Sequence, residues 1–194
     1  MATGAPTRRG RERREKILES AARLVASRGF HSVGVSDIGA AAGVSGAALY
    51  RHFANKSEIL VALLDRVVDG LLLGAEAATA RARDPVDALR TLISSHVDFA
   101  IADRSILAVY AQESHHLPAA DWRRLRAKQR RYVDVWGRAY MLVHPDCSEA
   151  QARVRVEAVF GLINSVPNIS YDIGDGMLRD ELRRLAEVAL LQEA

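Results

Sequence analysis

Apolar residues recur at three- and four-residue intervals along most of this 194-residue chain, with polar residues between them. Such spacing places the apolar side chains on one face of an α-helix. A second strongly apolar segment begins at about residue 56 and continues as a long helix to about residue 83. The pattern predicts an all-α protein. The first amphipathic segment, residues 11–28, ends at Gly29 and has the apolar face Ile17, Leu18, Ala21, Leu24 and Val25.

Between these two helices the pattern changes to two short helical pieces, predicted over residues 36–42 and 46–53. Ser36 and Ser45 are predicted N-caps, because a serine hydroxyl accepts a hydrogen bond from a first-turn amide. Gly43 is expected to end the first piece in the left-handed conformation. This layout is that of a helix-turn-helix. Ile38, Ala41, Val44, Leu49 and Phe53 are predicted to pack inward, which leaves Gly46, Ala47, Tyr50, Arg51 and His52 facing outward.

Charge divides the chain into two unequal parts. Residues 1–60 contain ten Lys or Arg against five Asp or Glu, a net charge of +5, whereas the remaining residues sum to −2. A basic head on a slightly acidic body indicates that the head alone binds a polyanion. Residues 1–10 are predicted to form a disordered basic arm. Two interpretations of this arm stay open, a solubilising tail and an arm that follows DNA phosphates or enters the minor groove.

Five short motifs in the basic part of the chain occur together in one order. They are Gly29-Phe30, Val35-Ser36-Asp37-Ile38, Ala42-Gly43-Val44-Ser45, Leu49-Tyr50-Arg51-His52-Phe53 and Lys56-Ser57-Glu58-Ile59-Leu60. Together they resemble the N-terminal domain of TetR-family transcriptional regulators. The resemblance implies a three-helix, helix-turn-helix DNA-binding domain over residues 11–71 and a helical ligand-binding and dimerisation domain over residues 72–194.

The resemblance also implies which residues contact double-stranded DNA. Ser36, Ser45, Tyr50, His52 and Lys56 are expected to hold the phosphate backbone, together with the amides at the start of the helix that Lys56 begins. Gly46 and Ala47 are small enough to let the recognition helix approach the major groove closely, while Arg51 and Tyr50 have the reach for base edges. One such helix reads only a few base pairs, so a homodimer on a two-fold related operator is expected.

The body is predicted to contain five further helices. Asp84-Pro85 opens the first of them with proline in the first turn, where its missing N–H costs nothing. The predicted spans are about 85–102, 106–115, 121–143, 148–165 and 177–191. Apolar faces of the last two helices are Val156, Val159, Phe160 and Ile163, and Leu178, Leu182, Leu185 and Ala189. The resemblance implies that these two helices dimerise as a four-helix bundle, and an intrachain hairpin is the alternative.

A ligand pocket is expected in the body, lined by polar or aromatic residues on otherwise inward faces. The segment from Tyr110 through Glu113 and Leu117-Pro118 to Tyr132 and Trp136 resembles the acyl-CoA-responsive branch of the family, which makes acyl-CoA compounds a candidate ligand class. The predicted pocket residues are Phe99, Tyr110, Glu113, Tyr132, Trp136, Tyr140 and Asn164. Basic residues Arg123, Arg124, Arg126, Lys128, Arg130 and Arg131 have two interpretations, a solvated helix face or a cradle for an anionic ligand.

Other function classes find little support in the sequence. The single cysteine, Cys147, excludes an intrachain disulfide, and His115 and His116 point in different directions without a converging third metal ligand. No apolar run is long enough to span a membrane, so a cytoplasmic protein without a cofactor is expected. No catalytic spacing argues for an enzyme. We therefore predict a repressor released from its operator by a small apolar ligand, with a nonspecific DNA-binding protein as the alternative.

Overall fold

The computed structural model describes residues 8–114, 117–169 and 173–192, and the chain forms nine α-helices within these ranges. They are α1 (Arg8–Arg28), α2 (Val35–Ala42), α3 (Gly46–Tyr50), α4 (Lys56–Arg81), α5 (Pro85–Ala102), α6 (Arg104–Glu113), α7 (Ala119–Val143), α8 (Glu149–Ile163) and α9 (Asp175–Leu191). A short 3-10 helix, Val166–Asn168, follows α8. The prediction of an all-α protein is confirmed.

The first helix begins earlier than the sequence pattern indicated. Residues 1–7 of the predicted arm lie outside the described residues, but Arg8, Arg9 and Gly10 form the first turn of α1 instead of belonging to an arm. An ion pair between Arg8 Nε and Glu12 Oε1, 2.9 Å long and four residues apart, supports this added turn. The basic residues near the N-terminus are therefore carried on an ordered helix from Arg8 onward.

The predicted cap of α2 is wrong. Val35 is already helical and Gly34 occupies the N-cap position, where its amide donates to Asp37 Oδ2 at 2.8 Å. Ser36 consequently lies within the first turn and is exposed. The prediction for the other cap holds, because Ser45 Oγ accepts from the Ala48 amide at 3.2 Å.

The recognition helix α3 is shorter than the predicted span 46–53, since regular α-helix ends at Tyr50. The amides of His52 and Phe53 both donate to the Leu49 carbonyl, at 2.8 and 3.0 Å, and this turn closes the helix. Phe53 then enters the core with 2% of its surface exposed. Burial of the Phe53 side chain thus turns the chain inward at residues 51–53, where the sequence pattern predicted that the helix would continue.

Two apolar cores share α4. The first core contains residues of α1 to α4 up to Val68, together with Ile106, Val109, Leu117 and Leu125 from the body. The second core begins at Leu72 and is formed by α5, α7, α8 and α9 around the fully buried Trp136. Helix α4 is continuous, and its residues up to Val68 belong to the first core whereas those from Leu72 onward belong to the second. Helix α6 packs against the head, because its residues Ile106 and Val109 belong to the first core.

Local capping sets the helix starts of the body. Asp84 Oδ1 accepts from the Asp87 amide at 2.8 Å just before Pro85, and Ser148 and Gln151 cap α8 reciprocally. α6, α7 and α9 each begin two residues before the predicted position, because the carbonyls of Asp103, Pro118 and Gly174 accept the first helical hydrogen bonds. α8 ends at Ile163 instead of about 165, where the chain passes into the 3-10 helix.

Candidate DNA interface and ligand cavity

The outward face of α3 is exposed, as a DNA-reading helix requires. Tyr50 is 57% exposed, and Gly46, Ala47 and Arg51 are exposed beside it. Leu49, in contrast, is fully buried and anchors the helix. The same surface carries no bulky group at its leading end, which lets the helix approach a groove closely.

Two glycines allow α2 and α3 to meet at close range. Gly43 has φ 65° and occupies the left-handed conformation predicted for it. Gly39, which the sequence analysis did not single out, faces the turn, and a Cβ there would lie 3.3 Å from the Val44 carbonyl oxygen and 3.6 Å from Leu49 Cδ1. A side chain at Gly39 would therefore push α3 away from α2.

Arginines of α1 lie beside the end of the recognition helix. His52 is half-buried, and its pKa is lowered by burial first and then by the charges of Arg13, Arg51 and Arg14. The Arg14 guanidinium lies over the Phe53 ring, 4.9 Å from its centroid. Arg13 and Arg14 were not among the predicted DNA contacts, although they belong to the basic run that indicated a polyanion partner.

The start of α4 is closely tied to the loop after α1. Asn55 Oδ1 accepts from the Glu58 amide at 2.9 Å, and Glu58 Oε2 accepts from the Ala54 amide at 2.8 Å. Lys56 Nζ lies 4.2 Å from the centroid of the Phe30 ring and donates to the His31 carbonyl at 3.4 Å. The expected phosphate-binding lysine is thus held against the loop that also carries His31.

A cavity of about 330 Å³ lies between α4, α5, α6, α7 and α8. Its deep walls are apolar, with Leu64 and Val68 from α4 and Ile106 from α6 fully buried. Four of the predicted pocket residues line this one space, namely Phe99, Tyr110, Tyr132 and Asn164. A neighbouring cavity of about 370 Å³ between α1, α4 and α5 shares Val67, Leu71, Phe99, Ile106 and Tyr132 with it.

A polar chain of three side chains crosses one wall of this cavity. The Tyr132 hydroxyl lies 3.2 Å from His96 Nδ1, and His96 Nε2 lies 3.1 Å from Asn164 Oδ1. Burial lowers the pKa of His96 to about 4, despite the opposing effect of the Asn164 hydrogen bond, and burial raises the pKa of Tyr132. His96 appears in the sequence as one member of an apolar helix face, which concealed its role in the cavity.

The exposed residues of the cavity lining lie on α7 and α8 and define its mouth. They are Arg126, Arg130, Arg153, Glu157 and Asn164. Arg153 pairs with Glu157 at 3.2 Å. Arg126 and Arg130 have no carboxylate partner within the described ranges, although Arg126 lies over the Trp122 ring. The mouth therefore has excess positive charge.

The basic cluster of α7 is thus divided between two faces. Arg124 and Lys128 pair with Asp65 at 2.6 and 3.1 Å, Lys128 also pairs with Asp69, and Arg131 pairs with Glu76. These three basic residues bind α7 to α4, whereas Arg126 and Arg130 face the cavity. Neither of the two earlier interpretations describes the whole cluster, because half of it forms interhelical ion pairs.

Three predicted pocket residues do not line the cavity. Glu113 lies at the C-terminal end of α6, where its Oε1 accepts from His31 Nε2 at 2.6 Å. Trp136 is fully buried in the second core, and Tyr140 stacks on His144 with ring centroids 4.4 Å apart. All three occupy inward positions of their helices, but these positions face the head or the core instead of the empty space.

The last two helices pack against each other and leave a second apolar surface exposed. Val156, Val159 and Ile163 of α8 and Leu178 and Leu182 of α9 are buried within the chain. On the outer side of the pair, four large apolar side chains are 41–68% exposed. These are Val154, Met177, Leu185 and Val188.

No group of three His, Cys, Asp or Glu side chains able to hold a metal ion occurs among the described residues, and His115 and His116 lie outside them. In the same part of the chain no helix is both long and apolar enough to cross a lipid bilayer.

Two sequence models of one family match the two parts of this architecture. Residues 17–63 match bacterial regulatory proteins of the TetR family, and residues 82–168 match the tetracyclin repressor-like C-terminal domain. The chain belongs to the TetR family. The matches coincide with the helix-turn-helix head and with the body that contains the cavity. The members of this family are bacterial regulatory proteins.

Similar proteins of the TetR family include both activators and repressors. The chain is 38% identical over 88 residues to the transcriptional activator FasR of Mycolicibacterium smegmatis, covering 45% of this chain and 40% of FasR. It is 33% identical over 107 residues to the transcriptional repressor KstR2 of Rhodococcus jostii, covering 55% of this chain and 52% of KstR2. The chain thus spans about half or less of the length of these two relatives.

One similar crystal structure is that of AibR in complex with isovaleryl coenzyme A and operator DNA. The two folds superpose with a TM-score of 0.74 over 93% of this chain and all of AibR, at 20% sequence identity. At this identity the similarity establishes that the TetR-family fold extends over both parts of the chain.

Proposed function

We propose that this protein is a dimeric, ligand-responsive transcriptional repressor that leaves a palindromic operator when an acyl-CoA compound enters its body. One observation carries the proposal: α4 begins at the DNA-facing side of the head with Lys56 and walls the cavity further along with Leu64, Val68 and Leu71. A ligand that shifts α4 in the body therefore acts directly on the placement of the head.

The DNA interface in this proposal is the exposed face of α3 with the residues on either side of it. Ser36, Ser45, Tyr50, His52 and Lys56 hold phosphates. The small Gly46 and Ala47 let the helix approach the major groove closely, where Arg51 and Tyr50 contact base edges. We add Arg13 to the phosphate contacts, because its charge already acts on His52 at the end of the recognition helix. The lowered pKa of His52 makes it a neutral donor at neutral pH.

The ligand class follows from the division of the cavity into an apolar interior and a cationic mouth. Leu64, Val68 and Ile106 form walls suited to an alkyl chain. Arg126 and Arg130, which pair with no carboxylate in the described ranges, offer guanidinium groups to an anion at the mouth. Phe99, Tyr110, Tyr132 and Asn164 complete the lining. An acyl-CoA compound has the same division, with an apolar acyl chain at one end and phosphates at the other. The crystal structure of the similar protein AibR contains such a compound, isovaleryl coenzyme A.

Ligand and DNA are coupled through two helices in this scheme. α4 contributes to both the first core and the cavity, and α6 does so as well, through Ile106. A ligand that fits best when these helices are displaced weakens DNA binding, and DNA weakens ligand binding by the same factor. The required difference between the two states is on the order of 1–3 kcal/mol.

The dimer in this proposal forms through the outer surface of α8 and α9. Val154, Met177, Leu185 and Val188 there are exposed although large and apolar, which favours burial against a second copy. Two copies paired by such an isologous surface have recognition helices that are related by a two-fold axis. That arrangement matches a palindromic operator.

Titration of operator DNA with a series of acyl-CoA compounds tests the proposal. We expect saturable release of DNA from a dimer, measured by fluorescence anisotropy, with a preference among chain lengths. If no compound of the series releases the DNA, acyl-CoA compounds are excluded as the ligand class. Uniform, steeply salt-sensitive binding to every DNA sequence would instead favour the nonspecific DNA-binding alternative.

A further inference from the structure

The polar chain in the cavity wall has a defined direction. His96 is 3% exposed and lies among the rings of Phe99, Tyr132, Trp136 and Phe160, at centroid distances of 4.8–5.9 Å. Because burial lowers the pKa of His96 to about 4, its imidazole is neutral at neutral pH. A neutral imidazole has one N–H donor and one acceptor nitrogen.

The partners of His96 decide which nitrogen carries the proton. Asn164 Oδ1 is an acceptor and lies 3.1 Å from Nε2, so Nε2 donates to it. Nδ1 is then the acceptor, and the Tyr132 hydroxyl donates to it at 3.2 Å. The hydrogen bonds run from Tyr132 through His96 to the oxygen of Asn164, and both nitrogens of the buried ring are satisfied.

This arrangement leaves the Asn164 amide nitrogen with two N–H donors that bond to no other residue in the described part of the chain. Asn164 is the C-cap of α8, with φ −74° and ψ 1°, and it is exposed at the mouth of the cavity. At the mouth the apolar walls end and the guanidinium groups of Arg126 and Arg130 begin. A donor at this junction faces the part of a ligand that connects an apolar chain with an anionic group.

We infer that the Asn164 amide donates a hydrogen bond to a carbonyl oxygen of the ligand and thereby selects acyl compounds over alkyl analogues. In an acyl-CoA compound this oxygen belongs to the thioester between the acyl chain and the coenzyme. The inference rests on the proposed function, since it assigns one recognition contact to the same ligand.

The hydrogen bond from His96 gives the contact its selectivity. An unrestrained amide rotates and presents either its oxygen or its nitrogen, but Asn164 Oδ1 is fixed on His96 Nε2. The N–H groups are therefore oriented before the ligand arrives, and little freedom is lost on binding. A site organised to donate a hydrogen bond disfavours a ligand that lacks the acceptor. The exposure of Asn164 limits this preference to about tenfold.

The test compares octanoyl-CoA with S-octyl-CoA, a thioether that has the same chain and coenzyme but no carbonyl oxygen. Calorimetric titration of the full-length wild-type chain should give about tenfold tighter binding of the thioester. Asn164→Leu removes the donor together with the oxygen that accepts from His96 Nε2, so retained operator binding serves as the check that the variant is folded. In this variant the thioester affinity should fall to the unchanged thioether affinity. Asn168→Leu is the matched control, because Asn168 is also exposed but does not line the cavity, and it should retain the preference.

Three results would overturn the inference, for two different reasons. Equal binding of the two compounds by the wild type, or a preference that survives in Asn164→Leu, would show that Asn164 does not recognise the carbonyl, while the proposed regulator stands. Failure of both compounds to bind a protein that retains operator binding would remove the acyl-CoA ligand class, and the carbonyl contact with it.

Discussion

His31 Nε2 donates to Glu113 Oε1 at 2.6 Å and so joins the loop after α1 to the end of α6. The Glu113 side chain is mostly buried, whereas His31 is exposed. At the other end of α6, Ser105 Oγ donates to the Ala26 carbonyl at 3.1 Å. Two polar contacts therefore attach α6 to the head on either side of the residues that line the cavity.

The first prediction concerns this attachment. Glu113→Ala should reduce the ligand-induced loss of operator affinity about two- to thirtyfold, because the displacement of α6 would no longer reach the loop that holds Lys56. Operator affinity is to be measured by anisotropy with and without saturating acyl-CoA. Gln112→Ala, an exposed neighbour on the same helix, serves as the control. Unaltered coupling in the Glu113 variant would exclude this contact as a route between ligand and DNA.

The second prediction concerns the recognition helix. Arg51→Ala should weaken operator binding by about 1–3 kcal/mol and relax the sequence preference if Arg51 contacts a base. Folding should be unaffected, because Arg51 is exposed. Arg81→Ala makes the same charge change at the far end of α4 and should leave DNA binding nearly unchanged. Equal losses from both variants would argue for a general charge effect in place of a contact.

The third prediction separates capping from DNA contact at Ser45. Ser45→Ala removes the hydrogen bond to the Ala48 amide and should lower the free energy of unfolding by about 1 kcal/mol, as measured by urea denaturation. Ser148→Ala removes the equivalent cap of α8 and should cost a similar amount. Only Ser45→Ala should also weaken operator binding. If both variants bind the operator like the wild type, Ser45 acts as a cap alone.

The fourth prediction concerns the mouth of the cavity. Arg126→Ala and Arg130→Ala should each weaken acyl-CoA binding by about tenfold, because a charge-assisted hydrogen bond contributes about 1.5–3 kcal/mol where it is protected from water and less at an exposed mouth. Arg123→Ala is the control, since Arg123 is exposed on α7 but does not line the cavity. Calorimetry with an acyl-CoA provides the measurement, and comparable losses in all three variants would point to a diffuse electrostatic effect.

The fifth prediction concerns pH. Burial lowers the pKa of His96 to about 4 from an ordinary 6.5. Between these values the unfolded chain binds a proton that the folded chain does not. The contribution of neutral His96 to stability is therefore complete above pH 6.5 and declines as the pH falls toward 4, by about 2 kcal/mol at pH 5.

Urea denaturation at pH 7.5 and pH 5 measures this effect against the variant His96→Gln, which does not titrate. The difference in the free energy of unfolding between the two pH values should be about 2 kcal/mol larger in the wild type. Equal pH dependence in the two proteins would mean that His96 is protonated in the folded state as readily as in the unfolded chain.

The sequence predicted correctly those features of the head that are decided by residues close together in the chain. Gly43 and Ser45 behave as expected, because a left-handed turn and a hydroxyl cap are decided within three or four positions. The cap of α2 was misassigned because Asp37 reaches back to the Gly34 amide, which moves the helix start ahead of Ser36. Competing caps of this kind differ by small energies that the sequence pattern does not reveal.

The cavity was only partly predictable for a different reason. Helical periodicity identifies inward positions, and Tyr132, Trp136 and Tyr140 all fulfil that condition on α7. Which of them lines the cavity between α4, α5, α6, α7 and α8 depends on how α7 is placed between α4 and α8, and of these three only Tyr132 does so. His96 was overlooked because a histidine on an apolar face resembles a core residue until Asn164, 68 positions away, is brought beside it.

The unbroken course of α4 gives the molecule mechanical leverage. From Lys56 to Leu71, the last cavity-lining residue on this helix, α4 extends over about 22 Å, so a rotation of about 5° at Leu71 moves the DNA-facing end by about 2 Å. In a two-fold dimer the opposite displacements of the two heads add to about twice that distance, against a half-site separation of about 34 Å. Small rearrangements around the cavity are thereby amplified into a mismatch between the spacing of the two recognition helices and the spacing of successive major grooves on the DNA.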